Sequence, residues 1–109
     1  MSKAILYICI SQNTKVLCDY KQGRQSFEEF TSEILPAMKK GRVMLPYQQV
    51  EYMCVNEDAN GVMYLLLVNK GYSKGRAFAC LDYIKEEFER TFEDQEIKKA
   101  KAFGLNSEF

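Results

Sequence analysis

The sequence predicts an α+β domain in which a sheet of five mostly antiparallel strands lies between two helices. Two segments, Ala4–Ile10 and Val62–Val68, are entirely apolar, which is typical of strands buried on both faces of a sheet. Two other segments, Ser26–Met38 and Ser73–Phe92, have apolar residues at helical spacing, so one helix is available to cover each face. We therefore place the two apolar strands, the first and the fifth, in the centre of the sheet.

The first two strands are predicted to form a hairpin. Only the short polar link Ser11–Thr14 separates the first strand from a second one, Lys15–Tyr20, and a short link favours antiparallel pairing. Alternation along the second strand predicts that three side chains share one of its faces, namely Val16, Cys18 and Tyr20.

The third and fourth strands are predicted at Arg42–Leu45 and Gln49–Asn56. Pro46 lacks a backbone N–H, so it restricts the third strand to an edge or a turn. The fourth strand alternates and is followed by the turn dipeptide Asn60-Gly61. The side chains predicted to share one face of the fourth strand are Val50, Tyr52 and Cys54.

The first helix begins with the spacing of a capping box, formed by Ser26 and Glu29. Pro36 is expected to bend or end its last turn. The apolar face of this helix is predicted to consist of Phe27, Phe30, Ile34, Leu35 and Met38, with Glu28, Glu29, Ser32 and Glu33 facing away from the core.

The second helix has Ser73 as its predicted N-cap. Its predicted apolar stripe, which is wide enough to cover a sheet, consists of Ala77, Phe78, Leu81, Ile84, Phe88 and Phe92. Ile97 and Phe103 are candidates to fold back beside this helix.

Composition excludes several classes of function. The 15 basic and 15 acidic residues balance, which argues against nucleic acid or an acidic membrane as the main partner. The absence of histidine removes the Ser-His and Cys-His nucleophile systems and the mixed Cys/His zinc sites. We therefore expect no enzymatic activity, no metal and no cofactor. The four cysteines lie in apolar segments, and we expect buried reduced thiols, with a disulfide pair as the alternative.

Four segments, taken in order, carry a resemblance to a known family. They are SFEEFTSEILPAM (Ser26–Met38), EYMC (Glu51–Cys54) followed by VMYLLLV, GRAFACLDYIKEEFERTF (Gly75–Phe92) and LNSEF (Leu105–Phe109). With the order of the elements, they resemble the longin domain, the N-terminal domain of the longer synaptobrevin-like R-SNAREs.

The resemblance implies a profilin-like fold with sheet order 2-1-5-4-3, which agrees with the central strands placed from burial alone. It also implies that residues 1–109 are a single longin domain and the N-terminal part of a longer SNARE protein. The family's third helix would continue from the LNSEF segment, followed by a SNARE motif and a membrane anchor, and neither of those two is present in this chain.

A binding site and its partners follow from the same resemblance. The family binds its own SNARE helix, or adaptor and regulator proteins, at the cytoplasmic face of endomembranes or vesicles. The site is a hydrophobic groove between the first helix and the edge third strand. Carried over to this chain, it consists of Phe30, Ile34 and Met38 on the helix with Val43 and Leu45 on the strand. Helical spacing also allows Phe30 and Ile34 to be plain core residues, and both interpretations stay open.

Two alternatives to a SNARE domain remain. One is a longin-like subunit of a trafficking adaptor or tethering complex that has no SNARE motif. The other is a PAS-like small-molecule sensor, which would need a polar-lined cavity that these apolar strands do not favour.

Overall fold

The computed structural model describes residues 5–21, 27–38, 40–47, 50–56, 61–93, 96–97 and 104. Its elements are β1 (Ile5–Gln12), β2 (Lys15–Lys21), α1 (Glu28–Ile34), β3 (Gly41–Tyr47), β4 (Val50–Asn56), β5 (Val62–Asn69) and α2 (Lys74–Thr91). The five strands form one sheet of order β2-β1-β5-β4-β3, and each neighbouring pair is antiparallel. The predicted fold class is confirmed, with the two apolar strands at the centre and β3 at an edge.

The α2-side core joins α2 to one face of the sheet. Ala77, Leu81 and Phe88 of the helix are fully buried, and the Phe88 ring meets Tyr64 of β5 edge-on at 6.0 Å. The Ser73 hydroxyl accepts from the backbone N–H of Arg76, as predicted for an N-cap. The other buried members of this core include Ile10, Leu17, Cys18, Met53, Val55, Val62, Leu66, Val68 and Phe92.

The α1-side core covers the opposite face of the sheet. Tyr7 of β1 stacks on Phe27 at 4.6 Å, and Phe30 of α1 meets Tyr52 of β4 at 5.6 Å. The other buried members include Cys9, Val16, Ile34, Leu35, Cys54, Met63, Leu65 and Leu67. The prediction that Val50, Tyr52 and Cys54 share a face is confirmed, since all three belong to this side.

The prediction that Val16, Cys18 and Tyr20 share one face of β2 is wrong for Val16. Ile10 pairs with Cys18 and Ser11 pairs with Val16, so Leu17 is an extra residue that forms a β-bulge. Because of the bulge, Val16 lies in the α1-side core and Cys18 lies in the α2-side core. Tyr20 stays on the side of Cys18, because its cross-strand partner Ile8 packs against the α2-side core.

Pro36 ends α1, as predicted. The helix stops at Ile34, and a 3₁₀ turn, Leu35–Ala37, follows with Pro36 inside it. The placement of Met38 on the helix is wrong, because Met38 has extended backbone angles (φ −71°, ψ 133°) after the turn. The predicted N-cap of α1 is wrong, because Phe27 and not Ser26 occupies that position, and Phe27 makes no side-chain cap hydrogen bond. Ser26 itself lies outside the described residues.

Of the two residues predicted to fold back beside α2, Ile97 does so. Ile97 is buried in the α2-side core, while Phe103 lies outside the described residues. Among the described residues, no helix is long and apolar enough to cross a membrane.

The four cysteines are free thiols, and three of them are buried. Burial raises the pKa of Cys9, Cys18 and Cys54 to about 12. These thiols are therefore protonated at neutral pH, which fits the expected reduced state.

Candidate partner-binding groove

The pairing of β3 with β4 decides which β3 side chains face α1. Leu45 pairs with Tyr52, and Val43 pairs with Cys54, two residues of the α1-side core. Directly opposite residues of an antiparallel pair share a face, so Val43, Leu45 and Tyr47 all lie on the α1 side. The strand residues of the predicted groove therefore do face the first helix.

The helix and the edge strand run in opposite directions along this groove. Phe30, near the start of α1, contacts Tyr47 at the end of β3, with ring centroids 4.8 Å apart. Met38 follows the 3₁₀ turn and lies near the beginning of β3 in the chain. The groove thus has a Tyr47 end and a Met38 end.

The five predicted site residues differ in how much surface they offer. Phe30 is 3% exposed and Ile34 is 9% exposed, so both are core residues and form the inner wall. Met38 and Val43 are half-buried, and Leu45 is 43% exposed. The structure places all five on one face of the sheet. The apolar surface that a partner could reach is supplied by Met38, Val43 and Leu45.

The Tyr47 end of the groove carries an acidic rim, consisting of Glu29 and Glu33. These two exposed side chains stand one helical turn apart on the flank of α1 that neighbours Phe30. The Tyr47 hydroxyl lies near the Glu33 carboxylate. The pKa of Tyr47 is raised, first by loss of hydration, and then by the nearby carboxylates of Glu33 and Glu29.

Sequence reasoning missed Tyr47 and the acidic rim. The available signal was the period of two along the strand, which continues from Val43 through Leu45 to Tyr47. Pro46 was interpreted as the limit of the strand, whereas β3 continues through it to Tyr47. Proline is tolerated there because β3 is an edge strand.

A cleft of about 520 Å³ opens beside the Met38 end, at the end of the sheet where the β1–β2 turn meets β4 and β5. Its lining is mixed, with polar side chains such as Asn13 and Lys40 beside apolar ones such as Leu35. Met38, one of the predicted groove residues, is part of this lining.

The opposite face of β3 is tied to α2. The Arg42 guanidinium donates to both carboxylate oxygens of Asp82, at 2.8 and 3.2 Å. Arg42 also lies 6.0 Å from the centre of the Phe78 ring. The edge strand is thereby held from the side that does not form the groove.

These features define a five-stranded antiparallel domain whose edge strand carries apolar side chains on the face that a short helix covers. The family model described as the longin, or regulated-SNARE-like, domain matches residues 17–109. The chain therefore belongs to the longin family, as a longin domain of the synaptobrevin-like SNARE type.

Curated proteins from distant organisms are similar to nearly the whole of this chain. Vesicle-associated membrane protein 7 of Mus musculus is 26% identical over 106 residues, which is 97% of this chain and 48% of that protein. Vesicle-associated membrane protein 7B of Dictyostelium discoideum is 24% identical over 105 residues, 96% of this chain and 40% of that protein. The chain thus spans about half the length of the curated relatives it matches.

Proposed function

We propose that this chain is the N-terminal regulatory and sorting domain of a vesicle R-SNARE, and that its groove binds a SNARE-motif helix. The observation that carries the proposal is the exposed Leu45 on the α1 side of an edge strand, with the half-buried Met38 and Val43 on the same side of the sheet. Family membership and the length of the relatives, about twice the matched region, support a SNARE motif as the occupant. The proposed place of action is the cytoplasmic face of endomembranes or vesicles.

Docking would follow the helix-in-groove mode of recognition. An amphipathic helix places apolar side chains, spaced at one face, into an apolar channel. Here the inner wall of Phe30 and Ile34 is already fixed by the core, so docking would require little rearrangement of α1. A SNARE motif held in this groove would be withheld from assembly with partner SNAREs, which would regulate fusion. An adaptor or regulator protein that occupied the same groove would compete with it.

The test is the affinity of this chain for a synthetic R-SNARE-motif peptide, measured by isothermal titration calorimetry. Leu45→Ser and Met38→Ser are expected to weaken binding about tenfold each, because each removes a buried apolar contact from the complex. The matched control is Tyr20→Ser, since Tyr20 is 60% exposed on the edge strand at the other side of the sheet.

Thermal melts should show that the three variants remain folded. If the peptide binds and both groove variants keep wild-type affinity, the docking surface lies elsewhere. If the peptide does not bind at all, while an adaptor-derived peptide does and is weakened by the same variants, the groove serves regulators rather than the SNARE motif.

A further inference from the structure

We infer that the outer edge of β3 pairs with the β3 edge of a second copy of this chain, so that two five-stranded sheets join in a symmetric dimer. Met44, in the middle of β3, lies on the two-fold axis of this pairing. The inference goes beyond the proposed function and does not depend on it, because it concerns the backbone edge of the strand and a different partner.

The burial of β3 shows that its edge is open. Within the described residues, no strand pairs with the outer side of β3, and none of its seven residues is buried. β2, at the opposite edge of the sheet, has three consecutive buried residues, Val16, Leu17 and Cys18. An open edge strand presents backbone donors and acceptors that can pair with a strand of another chain.

The backbone groups of Met44 point away from the sheet. Successive residues of a strand direct their N–H and C=O groups alternately to the two sides. Pro46 has no N–H to donate to β4, so it fits an outward-facing position of an edge strand. Met44, two residues earlier, then faces outward as well.

Hydrogen bonding elsewhere in the sheet gives the same direction for Met44. The Asn13 N–H donates to the Gly61 carbonyl, so the odd-numbered residues of β1 direct their backbone groups toward β5. Followed through the pairings of β1 with β5, β5 with β4 and β4 with β3, this alternation turns Val43 and Leu45 toward β4. Met44, between them, turns outward.

The sequence of β3 is self-complementary about Met44. With the two-fold axis at Met44, each Met44 N–H donates to the Met44 carbonyl of the second copy. Val43 then stands opposite Leu45 of the second copy on the α1 side, so apolar side chains meet on both sides of the axis. At the strand ends, Gly41 stands opposite Tyr47 of the second copy, and the space beside the Gly41 Cα is open.

The charges favour β3 over β2 as the strand that pairs with itself. The Arg42 guanidinium binds Asp82 of its own chain, and Arg42 would stand opposite the proline of the second copy. A symmetric pair of β2 strands would place Lys15 opposite Lys21, and like charges directly opposite are destabilising. The bulge at Leu17 also protects the β2 edge from regular pairing.

The experiment measures the mass of the chain by sedimentation equilibrium from about 10 µM to about 1 mM, because one strand pair is a small interface and forms a weak dimer. The wild type is expected to change from monomer to dimer over this range. Met44→Pro removes the outward N–H and should lower the association constant about tenfold or more, since two symmetric hydrogen bonds are lost. The matched control is Lys21→Pro, an exposed and outward-facing position of β2, which should dimerise like the wild type.

Leu45→Lys tests the same interface with the backbone unchanged. It replaces the apolar contact with Val43 of the second copy and brings two lysines close together across the axis, so it should also favour the monomer. Its matched control is Tyr20→Lys on β2, where Tyr20 is exposed. Thermal melts at low concentration should show that the variants remain folded.

Hydrogen exchange identifies the strand that makes the contact. The Met44 amide should exchange fast at low concentration and slowly at high concentration, because only the dimer gives it an acceptor. The Val43 and Leu45 amides bond to β4 and should be protected at both concentrations.

A chain that stays monomeric up to about 1 mM would overturn the inference. A dimer that persists in both β3 variants, or that leaves Met44 exchange unchanged, would also overturn it, because that dimer would use another surface. These measurements contain no peptide, so their failure leaves the proposed groove standing. If Leu45→Ser fails to weaken peptide binding, the groove is rejected and the dimer is not.

Discussion

At the scale of single residues, Phe78 and Phe88 show how one helical stripe divides into core and boundary. Phe88 is 0% exposed and packs against Tyr64 and Phe92. Phe78 is half-buried and lies beneath the Arg42 guanidinium. Sequence spacing placed both on the same apolar face, because periodicity gives the direction of a side chain but not how far the sheet extends beneath it.

Because Phe88 is fully buried and Phe78 only half-buried, truncating them to alanine should lower the free energy of unfolding by different amounts. Phe88→Ala should lower the free energy of unfolding by about 3–5 kcal/mol, since it leaves a cavity in the α2-side core. Phe78→Ala should cost about 1–2 kcal/mol, because part of the ring is already in water. Urea denaturation measures both, with the exposed Glu86→Ala as the control, expected within about 0.5 kcal/mol of the wild type. Equal losses at Phe78 and Phe88 would contradict the observed packing of α2.

At the scale of elements, some boundaries could be predicted from the sequence and others could not. Pro36 and Pro46 lack an N–H, and this property alone predicted that α1 bends or ends at its last turn and that β3 lies at an edge or meets a turn. The bulge at Leu17 depends on the register between β1 and β2, which alternation within one strand does not encode. Met38 continues the helical spacing of apolar residues beyond Pro36, so the sequence pattern placed it on the helix. The structure ends the helix before Pro36, and Met38 is extended.

The ion pair between Arg42 of β3 and Asp82 of α2 leads to a prediction about stability. Arg42 and Asp82 are partly exposed and form a bidentate pair, so a double-mutant cycle with Arg42→Gln and Asp82→Asn should give a coupling energy of about 0.5–1 kcal/mol. Urea denaturation of the four proteins measures this energy. The pair Glu87–Arg90, within α2 itself, is the matched comparison and should couple more weakly, by about 0.3 kcal/mol. A coupling of zero for Arg42 and Asp82 would mean that this ion pair does not help to hold the edge strand on α2.

At the scale of the whole molecule, the central position of β1 and β5 was predictable because these two strands are apolar on both faces, whereas the full sheet order came from the family resemblance. Such strands must be covered on both sides, and the two helices supply that cover. The groove was harder to predict, since Phe30 and Ile34 fit a core helix and a groove wall equally well in sequence. The structure assigns these two residues to the core and leaves Met38, Val43 and Leu45 as the accessible apolar surface.

The most direct test of the groove is a map of the backbone amides that respond to a partner. ¹⁵N-labelled chain would be titrated with the R-SNARE-motif peptide and followed by heteronuclear NMR. The groove predicts that the largest shift changes fall on β3 and at Met38, with small changes along α2 and β2. Largest changes along the exposed face of α2, or at the β2 edge around Tyr20, with β3 unaffected, would contradict the assignment of the groove as the docking surface.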